Sequence, residues 1–389
     1  LATGDGGAKM FDKLELARYL KIGSTTDFTY KDPAFEFNYD ITFEEAKQKF
    51  RELVYKRISQ FPIQDSFLYF SGTIGSCIML DLIKDIPTLS MNLGNNSKEI
   101  SDYYGVRNYM FQWDNIEEMV MEHQTQYVSK EKPRCWSLDD IYGWIRIRNG
   151  VNVGFKSAIC EGGGGEWCLF GDPNRAHAVM DLAIRRGEYK VSRAMRYKRK
   201  VILRNHDEYS NYLKCYVDRT SIFKDHEIAD LGLPIPEFKL REESLKHLTQ
   251  AAHDWGYHYI IEENDHPAPD YFNGFDIHYL FYDNKEMVDF LISLPMEMKY
   301  NLGRSKHIWK ETFPLPKDIP QLSIGVFAPI IAKIETWTRE ASILYLNKDN
   351  RIWNYLNYDK TKKYFGDFMK NWQLLNLSIW LNSNDKTIS

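Results

Sequence analysis

The sequence predicts an α/β fold in which a parallel sheet is flanked by helices and followed by a helical C-terminal part. Three observations predict it. From Ser66 onward, short apolar runs alternate with helical stretches, the pattern of βα units. Gly-rich turns stand at the ends of two of those runs, after Phe70 and after Cys160. Beyond Glu242 the periodicity is helical.

The elements follow in order. Met10 to Leu20 reads as a short helix and Ala34 to Tyr39 as an extended connector. Thr42-Phe-Glu-Glu45 is a capping box, in which the hydroxyl and Glu45 satisfy free amides at a helix start. That helix is expected to run to Gln60, before Pro62, because Phe50, Val54 and Ile58 recur at helical spacing. Ser66 to Phe70 is a first strand, Cys77 to Ile83 a helix, and Thr88 to Leu93 a second strand. After the polar turn Gly94-Asn-Asn-Ser97, a helix runs to Tyr104 and a third strand covers Asn108 to Gln112. Asp114 opens one helix, Leu138 to Arg146 forms another, and Val153 to Cys160 is the fourth strand. Helices are expected at Glu242–Glu263, Lys285–Ser293, Lys306–Phe313, Pro329–Leu346 and Trp353–Trp372.

Bulk properties restrict the function classes. The hydrophobic fraction is 43% and the charged fraction 27%, ordinary for a globular protein, while 25 Tyr and 22 Phe supply a large core. A net charge of -4 argues against a polyanion binder by bulk electrostatics. Five cysteines without a CxxC pair argue against a disulfide framework and a zinc ribbon. No apolar run has bilayer-spanning length, and Leu1 to Lys9 lacks the apolar region of a signal peptide, so a cytoplasmic protein with no membrane partner is expected.

Chemistry is expected at the turns beyond the strand ends, where parallel sheets bind ligands. In Ser71-Gly-Thr-Ile-Gly-Ser76, glycine lets backbone amides approach a ligand and the following helix start favours phosphate. No Gly-Lys-Ser/Thr follows, so this is not a Walker A loop, and a plain tight turn is the competing reading. In Glu161-Gly-Gly-Gly-Gly-Glu166, Glu161 or Glu166 is available as a base or metal ligand. In Gly303-Arg-Ser-Lys-His-Ile-Trp-Lys310, Lys306 at a helix start suits a phosphate or pyrophosphate, although a lone lysine is usually solvated.

Taken in order, these motifs resemble the synthetase domain of the asparagine synthetase B family, a PP-loop ATP-pyrophosphatase, over roughly Asp40 to Pro316. Ser71-Gly-Thr-Ile-Gly-Ser76 stands for Ser-Gly-Gly-x-Asp-Ser, and Thr88-Leu-Ser-Met-Asn-Leu93 for Thr-Phe-Ser-x-Gly-Phe. Cys160-Glu-Gly-Gly-Gly-Gly-Glu-Trp-Cys-Leu-Phe-Gly171 stands for Ser-Gly-Glu-Gly-x-Asp-Glu-x-Phe-Gly-Gly. His278-Tyr-Leu-Phe-Tyr-Asp283 resembles Arg-x-Pro-Phe-x-Asp, and Lys306-His-Ile-Trp-Lys-Glu-Thr-Phe313 the family's lysine helix.

The resemblance implies an adenine nucleotide alpha hydrolase-like fold, ATP with Mg²⁺, and an AMP-forming ligase that adenylates a carboxylate for attack by an amine. It implies Glu161 as base and Lys306 on pyrophosphate. Ser71, Gly72, Thr73, Ser76, Gly162 and Gly163 would hold the cofactor, Met91 would lie beside adenine, and Glu166 is the candidate metal ligand. The departures are Thr73 for a glycine, and Gly75 and Gly164 for the two metal-binding aspartates. Their loss makes a degenerate, nucleotide-binding or interaction protein the alternative to a ligase. With only residues 1–39 ahead of the match, glutamine dependence is not expected of this sequence.

The organisation expected is a leader and short helix over residues 1–40, the synthetase-like domain over 41–325 and a helical extension over 326–389. The basic stretch Arg185–Arg204 offers a nucleic-acid surface and hence adenylation of nucleic acid as a third reading; a solvated helix face is preferred. His253, His258, His266 and His278 lie near Asp265, Asp270 and Asp276 without zinc-site spacing. The C-terminal tryptophans Trp337, Trp353 and Trp372 fall at helical core positions.

Overall fold

The computed structural model describes residues 12–23, 36, 38–91, 96–111, 138–162, 169, 221–238, 242, 274–281, 284–299, 306–320 and 328–383. Five strands form one sheet: β1 Ser66–Tyr69, β2 Thr88–Met91, β3 Asn108–Phe111, β4 Ser157–Cys160 and β5 Asp276–Tyr279. Their spatial order is β3-β2-β1-β4-β5, and every adjacent pair is parallel. Central β1 pairs through Leu68 with Thr88 and through Phe67 with Ala158. A central parallel strand is covered on both faces, and the unbroken apolar run Phe67-Leu-Tyr-Phe70 meets that demand.

Side-chain alternation along the strands divides the interior into two cores. Phe67 and Ala158 enter one, Leu68, Phe70 and Ile159 the other. The second core is closed by helices α2 Phe43–Ile58 and α3 Ile74–Ile83. The first is closed in part by α1 Lys13–Ile22. Helices α4 Ser97–Tyr103 and α5 Leu138–Val153 follow β2 and β3 in the chain. Then come α6 Lys285–Ser293 and α7 His307–Thr312 on the second core, and α8 Ala328–Tyr345 and α9 Phe368–Ser383 on the first. The C-terminal helices thus share one apolar cluster with the strands.

The helix starts are written locally. The expected capping box is present: Glu45 N–H donates to Thr42 Oγ1 and Thr42 N–H donates to Glu45 Oε2. A second box, Asp12 with Glu15, starts α1 two residues before the first helical leucine. Helix α9 is buried all round from Asn371 to Leu381, so its polar side chains find internal partners. Asn376 Nδ2 donates to Trp372 O at 2.7 Å and Ser378 Oγ to Tyr345 O at 2.6 Å. Tyr19 Oη donates to Gln373 O at 2.9 Å, tying α1 to α9.

A buried polar cluster fixes the β2 end of the sheet. Thr88, Ser90, Ser97 and Ser101 are fully buried. Asn108 Nδ2 donates to Thr88 Oγ1 at 2.8 Å, and Ser97 Oγ donates to Ser90 Oγ at 3.1 Å. The start of α4 is therefore held against β2 by satisfied hydrogen bonds, beside the fully buried Ile100 in the second core.

Three expectations are corrected. The helix expected to stop at Arg146 continues to Val153, because Ile147 is buried in the first core; Gly154, at φ 100, then makes the turn. The fourth strand accordingly starts at Ser157, not Val153. The single helix expected over Trp353–Trp372 is broken into a 3₁₀ turn Arg351–Asn354, a short helix Tyr358–Thr361, a second 3₁₀ turn Lys362–Tyr364 and α9. Asn357 caps one of these pieces, its side chain accepting from Lys360 N–H, which restarts the chain where helical spacing alone reads on. Strand β5 was not expected at all. The helices expected from Asp114 and over most of 242–263 lie outside the described residues.

A prediction follows from the first core. A Cβ at Gly150 would stand 2.2 Å from Phe67 Cε1, on a ring with no exposure. Gly150→Ala is expected to destabilise the protein by about 1–3 kcal/mol through overpacking, read as a lower urea midpoint with unchanged slope.

Candidate functional site

The strand order places a crevice. From β1 the chain moves outward through β2 and β3, then returns to the other side of β1 as β4. Strand β1 is followed by β2 on one side and β4 by β5 on the other, and at such a switch point ligands bind beyond the carboxyl ends, here beyond Tyr69 and Cys160. Both turns singled out in the sequence start there.

The first turn is a hydroxyl cluster. Gly72 has φ 71, the left-handed region that a glycine adopts without strain. Thr73 precedes α3 but makes no side-chain cap to it. Ser71 Oγ is instead 2.8 Å from Thr73 Oγ1 and 3.2 Å from Ser76 Oγ, and Ser76 Oγ donates to Thr73 O at 3.0 Å. The first amides of α3 have no acceptor within the helix and carry the positive end of its dipole. The turn therefore presents donors suited to an oxyanion.

The second turn brings in a carboxylate. Glu161 is 6% exposed, and its carboxylate fills the space beside Gly75: a Cβ built on Gly75 would stand 1.7 Å from Glu161 Oε1. Glycine in the first turn of a helix weakens it by about 1 kcal/mol relative to alanine, and here it is what admits Glu161. Cys160 Sγ donates to Gly162 O at 3.4 Å, a local bond within this turn.

Lys306 completes the group from a distance of 145 residues in the chain. Its Nζ donates to Glu161 Oε1 at 2.5 Å, and the two side chains are 18% and 8% exposed. Lys306 holds φ 60 and ψ 37, a left-handed conformation that non-glycine residues seldom adopt. The residues after it supply the restraint. Ile308 and Trp309 are fully buried in the second core, Trp309 lies 4.5 Å from the Phe281 ring, and His307 stacks on Phe43 at 5.0 Å. Burial lowers the His307 pKa and favours the neutral ring.

Cys77 lies one turn into α3. Burial, and next the negative charge of Glu161, push its thiol up to about 12. It is a packed thiol rather than a nucleophile.

The sequence-predicted site residues sort clearly. Ser71, Gly72, Thr73, Ser76, Glu161 and Lys306 come together at the carboxyl edge of the sheet, with Gly162 next to Glu161 in the second turn. Met91 ends β2 beside Phe111; its side chain lies outside the described residues, as do Gly163, Glu166 and Arg185–Arg204. Of the histidine and aspartate group, His278 and Asp276 lie on β5, and the others fall outside the described residues. Sequence reasoning missed Gly75 as the partner of Glu161. A glycine inside an apolar helix start was the available signal, since it marks close approach.

Of the residues expected to bear on Mg²⁺, Glu166 lies outside the described residues. Gly75 offers no ligand, Glu161 is held by Lys306, and among the described residues no group of three His, Cys, Asp or Glu could hold a metal ion. Among them, too, no helix is long and apolar enough to cross a membrane.

No protein-family model matches the chain, and a search of curated proteins also finds no match. The fold and site define a parallel α/β protein with donors and one buried ion pair at the switch point.

Two outcomes are expected. Lys306→Met, which strands a buried carboxylate, destabilises by about 3 kcal/mol, more than Glu161→Gln does; a double-mutant cycle gives coupling above about 1.5 kcal/mol. Near-zero coupling in urea titrations would show that the pair is not formed. Cys77 stays unmodified by iodoacetamide at neutral pH in the native protein and reacts after denaturation, as read by peptide mass.

Proposed function

We propose that the chain is an adenine-nucleotide-binding protein on a divergent asparagine-synthetase-like PP-loop scaffold, holding the nucleotide by its phosphates at the switch point. The observation that carries this reading is the meeting of Glu161 and Lys306 at 2.5 Å beside the Ser71–Ser76 turn. Two segments singled out for phosphate, the Ser71–Ser76 turn and Lys306, meet the Glu161 turn, singled out for a base or metal ligand, at the carboxyl edge of the sheet. The parallel order β3-β2-β1-β4-β5 supports the scaffold, and the turn after β1 supports the phosphate position.

Within this reading, the Ser71, Thr73 and Ser76 hydroxyls and the α3 amides donate to phosphate oxygens. Gly72 keeps the backbone low enough for close approach. The end of β2 at Met91, held by the Thr88–Asn108 cluster, offers the edge for the base.

A second reading is an AMP-forming ligase. A substrate carboxylate oxygen would attack the α-phosphorus of ATP, pyrophosphate would leave, and an amine would then displace AMP. What favours it is that the expected base and the expected pyrophosphate lysine are together. What weighs against it is that each neutralises the other, so neither is poised for chemistry.

The test is equilibrium dialysis of the full chain with radiolabelled ATP, beside ATP–pyrophosphate exchange over a panel of carboxylic acids. ATP is expected to be retained, and Gly72→Val to weaken retention by about tenfold or more, since a side chain there is strained and blocks approach. Exchange dependent on a carboxylate raises the second reading above the first. No retention of ATP by folded protein removes the proposal.

A further inference from the structure

We infer that the crevice between β1 and β4 takes a polyphosphate-bearing ligand without a divalent cation, the Lys306 ammonium serving as the positive charge of the site. The inference rests on the nucleotide reading and narrows it to free rather than magnesium-bound phosphate chains.

The starting point is Gly75. A side chain there would displace the Glu161 carboxylate, which stands within 1.7–1.9 Å of where its Cβ would be. Position 75 thus contributes no acid, and the space a side chain there would use belongs to the carboxylate of Glu161, which follows β4. Magnesium is bound through carboxylates and substrate phosphates in near-octahedral geometry. Among the described residues of the two turns, the carboxylate is that of Glu161, and it is already paired. Oε1 accepts a hydrogen bond from Lys306 Nζ at 2.5 Å, and the Glu161 and Lys306 side chains are only 8% and 18% exposed. A dication on the same carboxylate would stand within a few ångströms of the ammonium, and their repulsion is large where water is excluded. The two cations are alternatives at one anion, and the chain has built in the ammonium.

The neighbouring groups agree. Ser71, Thr73 and Ser76 offer hydroxyls and α3 offers amides, all able to donate to phosphate oxygens. Cys77, the next side chain inward, stays protonated and supplies no thiolate to a metal. An ammonium carries three protons and can bridge a carboxylate and a phosphate at once. Glu161 in this arrangement is a positioning residue: it sets where the ammonium stands. The left-handed backbone of Lys306, restrained by Ile308 and Trp309 in the core, fixes the same side chain from its other end.

The experiment is calorimetry of the full chain with ATP and, separately, with inorganic pyrophosphate, once in EDTA and once in magnesium chloride. The expected result is an affinity in EDTA equal to or tighter than that in magnesium. Lys306→Ala is expected to weaken binding in EDTA by about tenfold or more, while Lys306→Arg keeps it within about threefold. Binding that needs magnesium, or tightens about tenfold with it, overturns the metal-free inference and leaves the nucleotide reading standing. No heat in either buffer, with folded protein by circular dichroism, overturns both. Should Lys306→Ala fail to fold, the wild-type comparison between the two buffers decides alone.

Discussion

The ion pair between Glu161 and Lys306, packed against Gly75, is the constraint on which the rest of the site depends. It joins the exit of β4, the first turn of α3 and the start of α7, segments brought together only by the finished fold. Each partner is nearly out of water, and an isolated charge in such a place is expensive. The pair is tolerable because the partners meet at hydrogen-bonding distance, and because glycine at position 75 leaves room for the carboxylate. Any reading of the opening between β1 and β4 has to accommodate these two charges first.

The sheet makes that meeting reproducible. Alternate residues of β1 and β4 enter two separate cores, so the strand ends cannot shift without disturbing both. The second core also holds α2, α3, α6 and the Ile308–Trp309 segment of α7, so Lys306 and Gly75 are mounted on the same body of packed side chains. The first core holds the C-terminal helices against the opposite face. Rigid mounting on both sides is what lets a residue with an unfavourable backbone, Lys306, stay in its conformation.

Much of the scaffold was legible in the sequence, because its signals are local. The Thr42–Glu45 box, the apolar run Phe67–Phe70 and the exact span Lys285–Ser293 needed only neighbours to be recognised. The two glycine-bearing turns and Lys306 were legible as residue types with a known use. What was not legible depends on contacts distant in sequence. Strand β5 is four residues long, and Asp276-Ile-His-Tyr279 becomes a strand only because β4 lies beside it. The break before α9 is set by Asn357 and by burial of that helix from Asn371 to Leu381, neither visible in a helical period. At the site, Gly75 read as the absence of an acid. Only the placement of Glu161 shows it as the room made for one.

A crystal structure of the full chain grown with ATP in EDTA tests the central idea most directly, that one buried ion pair organises a phosphate site at the switch point. The account predicts phosphate density between the Ser71–Ser76 turn and Lys306 Nζ, with the Glu161 carboxylate still beside Gly75. Density elsewhere on the molecule, or Glu161 turned away from Gly75 with Lys306 in solvent, would contradict it.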